Sequence, residues 1–242
     1  MSSLTAIPGF AEPFSSMSHL AGAALFLVLG VALVRRGRGD ALRVASLVVF
    51  VAGSVLLLSV SGVYHLLDPA GTPRYVLKVL DHAAIFVLIA CSFSPVHIIL
   101  FRGWGRWGML ALVWGFAATA ITLKTMYFTS MPDGLGLALY LGMGWLGVYS
   151  GTSIWRRFGR RYMEPILLGG LAYSIGAVLE FSRWPVVWPG VIQWHEVFHL
   201  AVLVGLGFHW AFVYGIADGR LTPASADQPA AGLACSSAPS DR

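Results

Sequence analysis

Residues Val44–His65 read VASLVVFVAGSVLLLSVSGVYH, twenty-two residues without an Asp, Glu, Lys or Arg among them. As a helix rising about 1.5 Å per residue, this run spans ~33 Å, enough to cross a hydrocarbon core about 30 Å thick. A bilayer offers no water to backbone N–H and C=O groups, so such a run must close its hydrogen bonds on itself as a helix. The pattern repeats on both sides. Apolar runs near residues 19–34, 81–101, 107–124, 134–155, 164–182 and 195–216 bring the number to seven. The chain therefore reads as an all-α membrane protein, a seven-transmembrane helical bundle. Its composition agrees: 57% of the 242 residues are hydrophobic and 11% charged, with a mean hydropathy of +0.74. A soluble domain would carry about 25% charged residues.

Around the bundle at 19–217 there is room only for a short segment, 1–18, and a tail, 218–242. Pro8 and Pro13 argue against a long helix in the first, and the Ala-, Pro-, Ser- and Asp-rich tail reads as disordered. No basic stretch precedes the first apolar run, which argues against a cleaved secretory signal. Cys91 lies in an apolar run and Cys235 in the tail, so no disulfide is expected. The fifth run holds Gly134, Gly136, Gly142, Gly144, Gly147 and Gly151, a composition that predicts close helix packing.

The formal charge of +5 would admit a nucleic-acid partner, but the arginines form short tracts between apolar runs. Arg35, Arg36 and Arg38 form one such tract, and Arg156, Arg157, Arg160 and Arg161 another. These are the anchors of cytoplasmic loops, so no nucleic acid is expected. Seven spans with the N-terminus outside put twelve of the sixteen Lys and Arg residues inside; only Arg74, Lys78, Lys124 and Arg183 fall outside. The expected orientation is N-outside, C-inside.

Ionisable groups within spans are costly and mark candidate sites. His65 ends the second run, Asp81 opens the third, and His195 and His199 open the seventh. His195 and His199 are four residues apart, which puts both rings on one helix face. Ser61 stands in the same relation to His65 and would lie beneath it. Under the expected orientation His65, Asp81, His195 and His199 share one leaflet. Three neutral imidazoles with an open fourth position suit a catalytic zinc, and a nearby carboxylate such as Asp81 suits a general base. The plainer alternative is a set of interfacial histidines with Asp81 capping a helix. His209 lies fourteen residues beyond His195, roughly 21 Å along the axis, and reads as a buried polar contact. His19, His82 and His97 read as interfacial or packing residues, and Glu180 with Arg183 as a structural pair.

His195-Glu196-x-x-His199 also matches H-E-x-x-H, the signature of zinc proteases in which the Glu is the base. The carboxylates after His199 are Asp218, Asp227 and Asp241, at or past the end of the last span, which leaves that reading without a third ligand. Glu196 is then an outer-surface residue. The whole constellation resembles another group. Ser61-x-x-x-His65, Asp81 within Leu80-Asp81-His82-Ala83-Ala84-Ile85-Phe86, and Trp194-His195-Glu196-Val197-Phe198-His199-Leu200 are similar to the hemolysin III group of the progestin and adipoQ receptor family. The resemblance runs from about His19 to Tyr214.

That resemblance implies zinc bound by His65, His195 and His199, with Asp81 holding the metal-bound water and Ser61 in support. The wider superfamily includes alkaline ceramidases, which implies hydrolysis of a lipid amide or ester, with membrane lipids as substrate or ligand. The charge bias places the site on the outer face, as in the ceramidases and unlike the adiponectin receptors. A non-enzymatic membrane-state sensor with structural zinc is the second expectation. A cytolytic role has little physical support in a bundle built to stay in its own membrane. The motifs look bacterial, which implies the cytoplasmic membrane of a bacterium.

Overall fold

The computed structural model describes residues 5–221 and is helical almost throughout. Residues 222–242, most of the expected disordered tail, lie outside the described residues. The helices are α1 (Pro13–Arg36), α2 (Ala41–Leu66), α3 (Thr72–Leu100), α4 (Gly103–Met126), α5 (Asp133–Trp145), α6 (Gly147–Phe158), α7 (Arg160–Ser182) and α8 (Trp194–Ile216). Six of them are long and apolar enough to cross a membrane. The seventh crossing is made by α5 and α6 together. They are separated by Leu146 alone, whose φ of −55° and ψ of −25° are still helical.

Two boundaries differ from the sequence reading, and both matter. Helix α1 begins at Pro13, six residues before the expected start, because a proline in the first helical turn needs no N–H and its φ is already helical. The proline expected to oppose a helix opens one. Helix α3 begins at Thr72, after Gly71 and with Pro73 in its first turn. Asp81 is therefore about two and a half turns inside the helix and caps nothing. Thr72–Leu80 carries Arg74 and Lys78, so it fails a hydropathy test while still extending the helix beyond the apolar run.

The crossings form a closed ring. α1 packs on α2 and α8, α2 on α3, α3 on α4, α5 on α4 and α7, α6 on α7, and α7 on α8. One apolar cluster, including Leu33, Phe50, Leu58, Leu206 and Ile216, joins α1, α2 and α8. A second, including Phe86, Val113, Ala117 and Met143, joins α3, α4 and α5. Leu25, Val28, Ile175 and Val204 point outward and exposed, the pattern of a bundle whose solvent is hydrocarbon.

The glycines of the fifth crossing do not do what their number predicts. A Cβ at Gly142 or Gly144 would meet nothing within 4 Å. Gly136, Gly144, Gly147 and Gly151 instead line a central cavity, where missing side chains leave space. Close helix contact occurs between α7 and α8, where a Cβ at Gly176 would stand 2.5 Å from the Ala201 Cβ. Gly176→Leu is thus expected to overpack that contact, at a cost of about 1–3 kcal/mol, and to lower the melting temperature in detergent. Gly142→Ala should leave it unchanged or raise it, since helical glycine costs roughly 0.5–1 kcal/mol against alanine. Equal effects of the two substitutions would contradict this packing.

Candidate metal centre

The last turn of α2 and the first two turns of α8 meet at one end of the bundle. His65 is the penultimate residue of α2, and His195 and His199 lie one turn apart at the start of α8. The His195 Nε2 stands 3.2 Å from the His65 Nε2 and 3.1 Å from the His199 Nε2. One ligand atom from each of the three lies within 4.8 Å of the other two. His65 and His199 are buried and His195 is partly so.

The opposite edges of two rings explain this convergence. The His65 Nδ1 is hydrogen-bonded to the Glu12 carboxylate, and the His195 Nδ1 donates to Glu180 Oε1 at 3.1 Å. With the proton on Nδ1, each Nε2 presents a lone pair to the other. Lone pairs facing across 3.2 Å repel unless a cation lies between them. A single proton would relieve one pair of nitrogens, whereas one metal ion relieves all three. Tetrahedral coordination with bonds of about 2.0–2.1 Å sets ligand nitrogens roughly 3.3 Å apart, close to the two short separations here. The three histidines therefore fit a metal ion.

Ser61 and Asp81, the expected supporting residues, line the same cavity as His195 and His199. The Ser61 side chain stands beside the Asp81 carboxyl, on the same helix face as His65 one turn on. Asp81 stands outside the three-imidazole cluster. The cavity has a volume of about 950 Å³ and runs from this polar end between α3, α5, α6, α7 and α8 towards Trp155, Met163 and Val213. His209 lines it far from the cluster, its ring edge-on to Tyr173.

His19 is a packing residue, one of the two readings given for it, and three other residues have places the sequence did not assign them. His19 stacks on His199 with ring centroids 3.9 Å apart and reaches its backbone carbonyl. Glu180 pairs with His195 rather than with the Arg183 side chain. Glu196 is no surface residue: 1% exposed, it accepts from the Ser15 hydroxyl and from the Gln193 N–H, both at 2.9 Å, and caps α8. So employed, the Glu of H-E-x-x-H faces away from the cavity. Lys124, counted among outer-side cations, is 7% exposed and turned inward to the cavity wall beside Phe128.

Glu12 was not singled out at all. It is the one carboxylate ahead of Asp40, a few residues before the first apolar run, and that isolation is the available signal. Burial by itself raises its carboxyl pKa. The His65 hydrogen bond and the Arg74 charge reverse this and hold it down to about 2, so Glu12 is ionised.

Fold and site together define a multi-pass helical membrane protein with a three-histidine cluster able to hold a metal ion. A family model described as haemolysin-III related matches residues 10–210, and the chain belongs to that family. It is 27% identical to Hemolysin-3 of Bacillus cereus over 196 residues, covering 80% of this chain and 86% of that protein. It is 28% identical over 167 residues to the Hemolysin-3 homolog of Bacillus subtilis (strain 168), covering 69% and 75%. Heptahelical transmembrane protein ADIPOR2 of Oryza sativa subsp. japonica is 32% identical over 193 residues, 74% of this chain and 84% of that one. The resemblance to the hemolysin III group of the progestin and adipoQ receptor family is borne out.

Alanine at His65, His195 or His199 should remove the bound metal ion from purified protein, measured by elemental mass spectrometry. One ion per chain retained in all three variants would show that the cluster is not the site.

Proposed function

We propose that this protein is a zinc-dependent hydrolase of a lipid amide or ester, with its site at the outer face of the membrane. The observation that carries this reading is the junction of two unlike environments. A cluster of three imidazoles and a carboxyl group opens into a long, largely apolar cavity of about 950 Å³. That size is at the upper end for small-molecule sites, and its shape suits an acyl chain better than a compact polar substrate.

Zinc held by His65, His195 and His199 would supply a Lewis acid and lower the pKa of a bound water to about 7. Asp81 is the general base: its carboxylate takes a proton from the attacking water and returns it to the departing amine or alkoxide. Ser61, which lines the cavity beside Asp81, would hold that carboxyl towards it. The glycine-lined wall of α5 and α6 leaves the width an acyl chain needs beside α3 and α8. Placement at the outer leaflet rests on the distribution of Lys and Arg.

Asp81→Ala is the decisive variant. Lipid turnover by purified protein in mixed micelles should fall by about 10²–10⁴-fold, while bound zinc and melting temperature stay as in the wild type. Undiminished turnover would remove Asp81 from the chemistry, and no turnover by the wild type across phospholipid and ceramide-like substrates would favour a sensor with structural zinc.

Orientation is checked in cells with Cys91 and Cys235 replaced by serine. A membrane-impermeant thiol reagent should label Gly71→Cys and spare Gly39→Cys. The reverse result would move the site to the inner face.

A further inference from the structure

Two of the three clustered imidazoles are gripped from behind by carboxylates that belong to neither α2 nor α8. Glu12 precedes α1, and Glu180 lies in the last turn of α7. Both oxygens of Glu12 are engaged, Oε2 by the His65 Nδ1 and Oε1 by the Arg74 guanidinium. Arg74 is itself fixed from two other directions. It donates to the Leu67 carbonyl at 2.6 Å and lies over the Tyr64 ring at 4.8 Å. The backbone holds the same arrangement, since the Ala11 and Glu12 N–H groups donate to the Leu66 and His65 carbonyls at 3.2 and 3.0 Å. The chain ahead of α1 is thereby tied to the end of α2, and the Thr5 N–H ties it to the Gly190 carbonyl between α7 and α8 at 2.7 Å.

We infer that Glu12 and Glu180 are positioning residues of the metal centre, keeping His65 and His195 in the Nδ1–H form with Nε2 turned to a shared ion, and that Arg74 fixes Glu12 in that role. An imidazole whose far nitrogen donates to a carboxylate is oriented and made a stronger ligand. The arrangement also settles the local charge. The buried Arg74 would repel a metal cation, and Glu12 stands between the guanidinium and the His65 ring. The inference rests on the metal reading of the histidine cluster and not on hydrolysis.

Zinc affinity of the full-length protein in detergent, measured by chelator competition, tests it without reference to activity. Glu12→Gln retains the shape but leaves one acceptor oxygen where two donors converge. Glu180→Gln perturbs the second histidine away from Arg74, so it stays informative should loss of the Glu12–Arg74 pair unsettle the fold. Each variant should bind zinc about 10–100-fold more weakly than wild type. Their cobalt-loaded forms, at saturating metal, should show shifted visible absorption bands. Glu12→Asp should recover part of the affinity. A merely structural role predicts a lower melting temperature for the metal-free protein with affinity and cobalt spectrum unmoved, and that result in both variants would overturn the inference. Absence of zinc binding in the wild type would instead overturn the metal reading beneath it.

Discussion

With both Nδ1 atoms held by carboxylates, the His65 and His195 Nε2 atoms turn lone pairs on one another across 3.2 Å, an opposition that a shared cation would relieve. That constraint orders the histidine end of the bundle. Two of the rings are clamped at Nδ1 by carboxylates, so they cannot relieve the repulsion by exchanging tautomers. The third, His199, is held by its helix position and by the stacked His19. The ring of crossings is what brings residue 65 to residues 195 and 199, where the three could hold one ion.

A polar cluster in hydrocarbon must also be satisfied among its own members. The partners come from every direction. Glu12 arrives from ahead of α1, Arg74 from the first turn of α3, Glu180 from the end of α7 and Glu196 from the face of α8 turned to Ser15. Each sits near a helix end, where charge can be placed without crossing the apolar middle. Below them the bundle leaves a cavity between α3, α5, α6, α7 and α8, beside its packed apolar clusters. The glycines of α5 and α6 supply that space, while glycines on other helices make tight contacts, among them Gly176 of α7 against α8 and Gly53 of α2 against α3.

Seven crossings, the all-α class and the three clustered histidines were legible in the linear chain because each depends on local pattern. Run length against bilayer thickness decides the first two. A four-residue spacing on one helix, with a second helix ending where that one begins, decides the third. The fold confirms the meeting of His65 with His195 and His199. It also withdraws the capping explanation of Asp81, since α3 starts at Thr72.

The partners of those histidines were decided only in three dimensions. Glu12 and Glu180 are separated from the rings they hold by 53 and 15 positions, and no periodicity links residues on different helices. Glu196 shows the same limit from the other side. Its motif was plain in the sequence, yet whether it faced the cluster or the neighbouring helix depended on how α8 is rotated against α1. Sequence alone determined that a set of histidines with metal-ligand spacing is carried to one end of a helical membrane bundle, because hydropathy and helical spacing are properties of single segments. Which groups orient the set, and how much empty space opens beside it, were settled by the packing of segments distant in the chain.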